Sequence, residues 1–309
     1  MLHGRSAEKL DIVGRVCARM AGAGDRLTVG WTTHLGAALD GADVVLIQVR
    51  VGGYRARAFD ETFPHEFGLP GEETMGPGGF ANSLRTVPVV VNLGQAVQQH
   101  APRAWVLNLT NPSSVIQLAL QRTAALRVIG VCDSPVSMRE GIAGVLDAGP
   151  DRVRVEYVGM HHFGWITRVW HEGREVMSDV LKKVDELRWI SVPADLVRAI
   201  EAVPHPYINY VLASQAMYER QQGRRPRAKE LADLEGELLA EYRAWLATDD
   251  PRPPAGLSCR RAVWYAKIIA PVIHHLLTDT GAIHILNFAS GAAAPAGMPA
   301  AYCLSLIHI

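Results

Sequence analysis

The chain has 309 residues, 49% of them hydrophobic, enough for a substantial core in one large domain or two ordinary ones. Lys and Arg total 31, as do Asp and Glu, for a formal net charge of zero. That balance argues against a non-specific nucleic-acid binder and against a polybasic membrane-surface protein.

Residues 6–20 place Leu10, Val13, Val16, Cys17 and Met20 at helical spacing. A short strand follows at 27–32, a short helix at 33–39 and a continuous apolar strand at 42–49. Further on come a helix at 86–100, a strand at 104–109, a helix at 113–124 and a buried strand at 127–131. Apolar runs alternating with amphipathic helices imply a parallel sheet covered on both faces. From about Ser134 the pattern changes: 153–158 and 166–171 alternate like antiparallel strands. A long helix is predicted at 229–246, and another at 262–277 that Pro271 should bend. No apolar run approaches the roughly 20 residues that span a bilayer. Residues 1–10 lack the apolar stretch of a secretion signal. Cys17, Cys132, Cys259 and Cys303 form no CxxC pair, so a reducing, cytoplasmic setting is expected.

Three stretches carry candidate chemistry. Residues 50–85 follow a buried strand directly, where open α/β sheets place ligands. They hold Arg50, Arg55, Arg57, Asp60, Glu61, Glu72 and Glu73. The plain reading is a solvated loop laced with salt bridges, but loops this long in compact domains are usually functional. Asn108-Leu-Thr-Asn-Pro112 ends another buried strand. Asn111 precedes proline, which biases it to extended geometry and lets its amide point into a cleft, although Asn-Pro alone is a turn signal. The third stretch is the pair GVCDSP (130–135) and GMHHFGW (159–165). A thiolate from Cys132 and an imidazole from His162 can hold a divalent transition metal and leave positions open for substrate oxygens. Taken singly, Cys132 is more often a small buried hydrophobe and His162 more often a core histidine.

In chain order, RVGG (50–53), DExxP (60–64), GEETxGPGG (71–79), LRTVP (84–88), NLTNP (108–112), GVCDSP, GMHHFGW and VPHPYINY (203–210) together resemble glycoside hydrolase family 4, whose 6-phospho-glucosidases use NAD and manganese. The resemblance implies a Rossmann-like parallel sheet over residues 1–135 and a mixed α/β domain of the lactate/malate-dehydrogenase type over 136–303. It implies Cys132 and His162 as metal ligands for Mn2+, Tyr207 as base and Asp133 as candidate acid. Arg57, Asn111 and Arg227 would contact the sugar phosphate and hydroxyls, with Arg50 and Asn108 as candidate cofactor contacts. The implied reaction is hydrolysis of a phosphorylated disaccharide. A hydride leaves C3 to NAD, the C2 proton is lost, the aglycone leaves C1, water adds and the hydride returns, an exception to two-carboxylate glycosidases. RVGG favours 6-phospho-β-glucosides; a 6-phospho-α-glucosidase or α-galacturonidase is the alternative. Dimers or tetramers are expected, as is usual in the family.

The sequence departs from the family pattern at His161, where asparagine is usual, and at Glu72, where glutamine is. It departs again over 258–265 and 289–301. No GxGxxG or GGGS-like turn precedes the first helix, and the string 304–309 reads as an artefactual tail. A fragment lacking both ends is therefore expected, with a gap in its parallel sheet and little NAD affinity. Two other classes are considered. A lactate- or malate-type dehydrogenase would need a His/Asp relay and no metal, and an inactive remnant would show no NAD-shifted melt.

Overall fold

The computed structural model describes residues 1–22, 27–259 and 265–288, and the backbone of 303–308. Strand β1 (Leu2–His3) leads to helix α1 (Ala7–Ala21), whose N-cap Ser6 accepts from the Lys9 amide. Its buried residues are Leu10, Ile12, Gly14 and Val16. Val13 and Met20, expected inward, are exposed. Trp31 of β2 (Trp31–Thr32) decides the face: a Cβ on Gly14 would sit 2.3 Å from its ring. β1 and β2 are parallel and pair with each other, forming a two-stranded sheet apart from the main one.

After α2 (Leu35–Leu39) the chain enters the main sheet at β3 (Val44–Ile47). α3 (Gly53–Thr62), a 3-10 turn at Phe63–Phe67 and α4 (Gly76–His100) then lead to β4 (Trp105–Asn108), α5 (Ser113–Thr123) and β5 (Arg127–Gly130). β3, β4 and β5 are parallel and in register, the Rossmann-like part of the fold. α6 (Ser134–Val145) leads into the hairpin of β6 (Val153–Met160) and β7 (Phe163–His171). β8 (Arg174–Glu175), α7 (Met177–Lys182), α8 (Ala194–Ile200) and β9 (Val203–Pro204) follow, then α9 (Asn209–Leu212) and α10 (Ser214–Gln221). The last elements are α11 (Arg227–Leu246), α12 (Ala270–Thr278), β10 (Ile283–Phe288) and β11 (Cys303–His308).

The sheet order is β3-β4-β5-β10-β11-β6-β7-β8, with β9 beside β7. A parallel half and an antiparallel, mixed α/β half therefore share one sheet, joined where β10 meets β5 at Asn287 and Gly130. The boundary expected at 135/136 is not a break in this sheet. Residues 303–308, set aside in the sequence reading as mostly tail, lie between β10 and β6. Separate buried clusters fill the two halves: Val90, Val106, Ile116 and Leu120 in one, Ile142, Ile166, Val169 and Val180 in the other.

One expectation is corrected. Residues 50–85 are not a structureless loop but α3, a 3-10 turn and the first ten residues of α4. Glycines 76, 78 and 79 and Pro77 read as breakers, yet proline suits a first helical turn, where its missing N–H has no partner to lose. Gly78 serves close approach: a Cβ there would stand 2.2 Å from the Glu72 carbonyl oxygen and 2.3 Å from that of Asp60. The helix expected over 262–277 begins outside the described residues. Residues 260–264 lie outside the described ones, 265–269 form a π turn, and Pro271 sits in the first turn of α12.

Candidate active site

A cleft of about 240 Å³ opens beyond the carboxyl ends of β3, β4 and β5, the position where parallel sheets take ligands. Its wall includes Arg50, Arg57, Asn111, Cys132, Asp133, His162, Tyr207 and Arg227, eight of the nine residues singled out from sequence. Asn108 is the exception. It is fully buried, its amide donates to the Thr110 carbonyl at 3.2 Å, and its Oδ1 accepts from the Thr110 amide at 3.0 Å. The side chain is committed to shaping the NLTNP turn rather than lining the cleft. Asn111 does reach the cleft, and the bond to Pro112 is cis.

Cys132 leaves the end of β5 just before α6, and its Sγ lies 3.4 Å from His162 Nε2. His161 and His162 are the two loop residues of the β6–β7 hairpin, between the paired Met160 and Phe163. His162 adopts a left-handed backbone, φ +62°, which costs a non-glycine residue about 1 kcal/mol and turns its ring into the cleft. Tyr207, in the short turn Pro206–Ile208, stacks on His162 with centroids 4.0 Å apart and planes 11° from parallel. His205 caps that turn, its Nδ1 accepting from the Tyr207 amide at 3.1 Å, and its ring lies 5.1 Å from His162. Thus PHPYINY and GMHHFGW meet through a stack of rings.

Burial sets the protonation of this cluster. It pushes the Cys132 thiol up to about 12, with the charge of Asp133 second. It pulls His161 and His205 down to about 3 and His162 well below its usual value, so the imidazoles are neutral electron-pair donors at neutral pH. Tyr207 stands well above an ordinary phenol, first because of the charge on Glu72 and second because of burial. These groups by themselves make Tyr207 a poor base.

The arginines are already paired. Arg57 binds Glu61 at 2.6 Å and Glu73 at 3.0 Å, Arg50 also binds Glu73, and Arg227 binds Glu230 at 2.6 Å. Glu61 also accepts from the Ala228 amide at 2.8 Å, which ties the first turn of α11, and hence Arg227, to α3. Glu73, Gln48 and Leu109 on the cleft wall were not assigned roles from sequence; the GEET acid run was the available signal for Glu73.

Glu72 accepts from the Thr74 and Met75 amides, yet burial and the neighbouring Glu73 raise its carboxyl from 4.5 to about 7. A carboxyl raised on folding binds more protons in the native state, so stability falls as pH rises from 4.5 to about 7 and stays low above it. Glu72→Gln keeps a carbonyl oxygen for the amides and removes the charge. It is expected to add about 2 kcal/mol above pH 7, allowing for partial exposure, and nothing near pH 4. Urea unfolding at both pH values checks this; an equal effect at the two would refute the carboxyl's role.

Residues 2–148 match the family model described as "Family 4 glycosyl hydrolase", and residues 157–295 match "Family 4 glycosyl hydrolase C-terminal domain". A probable 6-phospho-beta-glucosidase of Bacillus subtilis (strain 168) is 31% identical over 91% of this chain and 66% of its own length. The chain thus spans just under two thirds of that relative. Maltose-6′-phosphate glucosidase of the same organism is 29% identical over 65% of this chain and 49% of its own. The 6-phospho-beta glucosidase of Thermotoga maritima, solved with NAD and glucose-6-phosphate, superposes with a TM-score of 0.87 at 28% identity, covering 99% of this chain and 73% of that one. It has also been solved with manganese, NAD+ and glucose-6-phosphate. No helix among the described residues is long and apolar enough to cross a membrane.

Proposed function

The chain belongs to glycosyl hydrolase family 4, and from that premise we propose that its cleft takes part in cleaving 6-phospho-β-glucosides by reversible oxidation and elimination, with NAD and a divalent metal. The observation that carries this reading is the convergence of Cys132, His162 and Tyr207 in one cleft, with 3.4 Å between thiol and imidazole and 4.0 Å between the stacked rings.

The residues present fit a metal. The thiol sulfur and a neutral imidazole nitrogen lie 3.4 Å apart, a span that bonds of about 2.0–2.3 Å to one ion can bridge. The other ring nitrogen of His162, Nδ1, is buried without a partner, which leaves the ring unencumbered by a competing bond. For NAD, the chain offers the cleft at the carboxyl ends of three parallel strands; support for that cofactor comes from the Thermotoga relative solved with it.

When bound, NAD would supply a reversible hydride acceptor and the divalent ion a Lewis acid that stabilises developing negative charge and favours the ionised phenol. The protein's own part is positional and acid–base. Cys132 and His162 would hold the ion. Tyr207 takes the C2 proton at its phenol oxygen, and Asp133, beside Cys132 on the cleft wall, gives a proton to the departing aglycone oxygen. Arg57 and Arg227 supply guanidinium forks for the 6-phosphate, and Asn111 offers its amide to a hydroxyl. A phosphate dianion entering here must compete with Glu73 for Arg57.

The experiment is turnover of the nitrophenyl 6-phospho-β- and 6-phospho-α-glucosides with NAD and Mn2+ in D2O. The β substrate is expected to be preferred, and the released glucose 6-phosphate to carry deuterium at C2. Preference for the α substrate would overturn the anomeric assignment, which the longer alignment to the β-acting relative supports over the maltose-6′-phosphate one. A product without deuterium at C2 would overturn elimination through Tyr207.

A further inference from the structure

The reading above gives Cys132 and His162 to a divalent ion and leaves His161 without a task. We infer that His161 is a third protein ligand, making a Cys-His-His site that favours cobalt, nickel or zinc over manganese; this rests on the metal reading above. The donor atoms of Cys132, His161 and His162 all lie within 4.8 Å of one another, and all three residues are buried. Two donors on opposite sides of one ion, with bonds of about 2.1 and 2.3 Å, stand about 4.4 Å apart, so small ring rotations suffice to gather the trio.

The backbone explains why two neighbouring histidines serve one site. Successive residues of an extended strand face opposite ways. Here they form the hairpin loop, and the φ of +62° at His162 brings both rings to one side, stacked at 3.7 Å with 25° between planes. His161 is 8% exposed and lines the cleft. No hydrogen bond among the described residues occupies either of its ring nitrogens. The His161 imidazole thus faces the same cleft as the thiol and the second imidazole, within reach of an ion that they hold.

Manganese suits oxygen donors, whereas sulfur and nitrogen sets gain affinity along the first-row series toward cobalt, nickel and copper. A second imidazole therefore strengthens cobalt binding more than manganese binding. It also leaves fewer positions for substrate oxygens than a two-ligand site would.

The test titrates Co2+ and Mn2+ separately into the full chain and into its His161→Asn, His161→Gln and Cys132→Ser variants, reading affinity and the visible cobalt spectrum. Both His161 variants are expected to weaken Co2+ binding by about tenfold or more and Mn2+ binding by less than about threefold. Their ligand-field absorption should fall while the thiolate-to-cobalt charge-transfer band persists. Unchanged Co2+ affinity and spectrum in the two folded His161 variants, with binding lost in Cys132→Ser, overturn this inference alone. Wild-type Co2+ binding in Cys132→Ser overturns the metal reading and this inference with it.

Discussion

Replacing Cys132 with serine is expected to lower turnover of a 6-phospho-β-glucoside by about a thousandfold, roughly 4 kcal/mol of transition-state stabilisation. The thermal transition should barely move. Cys132 is 7% exposed, and its Sγ approaches His162 Nε2 at 3.4 Å. A hydroxyl is smaller than a thiol and far harder to ionise. Serine therefore fits the space but does not supply the soft anion that a transition metal draws from a thiol. Steady-state kinetics with Mn2+ and NAD, beside a circular-dichroism melt, separate the two effects. Activity above about a tenth of wild type would remove Cys132 from the site. A large drop in melting temperature would show that the residue's main work is packing.

Arg85→Ala is expected to cost about 3–5 kcal/mol of stability, because it strands a buried charge. Asp60 is 1% exposed and meets Arg85 through both oxygens, one of them at 2.9 Å. Even with the guanidinium present, burial outweighs the pairing and holds the Asp60 carboxyl above its usual value. Without Arg85 it rises further. The unfolded chain then loses its proton at lower pH than the native one, so the penalty grows as pH rises past the ordinary carboxylate range and shrinks in acid. Urea denaturation at pH 5 and pH 8 reads this difference. A loss under about 1 kcal/mol at pH 8 would mean that Asp60 finds another partner. Asp60→Asn alone should cost less than Arg85→Ala, since it leaves the charge on a residue that is 28% exposed.

The same pair explains two sequence motifs whose purpose was opaque in one dimension. Asp60 belongs to DExxP and Arg85 to LRTVP, on α3 and α4, and the ion pair fixes one helix against the other. Glu61, next in the chain, points instead to Arg57 and to the Ala228 amide at the start of α11. Neighbouring residues on a helix face different ways, so one short motif can brace two elements. The GEET run works similarly: Gly71 is clamped by the Gln221 side chain, which donates to its carbonyl and accepts from its amide, both at 2.8 Å. Sequence spacing could not pair residues 150 apart.

The alternation of apolar runs and helices was enough to place β3, β4, β5, the helix α5 and the part of α4 from Thr86 onward, but not α3, because buried parallel strands and amphipathic helices leave local periodicities. Ordered motifs were enough to identify the family and to put Cys132, His162 and Tyr207 forward. Local pattern failed where glycine and proline serve packing rather than flexibility, as at the start of α4, and where side-chain commitments are long-range, as with Asn108. That the thiol, two histidines and a phenol stand around one cleft was decided only by the tertiary structure. β5, the β6–β7 hairpin and the turn after β9 converge there. The burial that they jointly impose is what keeps the imidazoles neutral and raises the thiol.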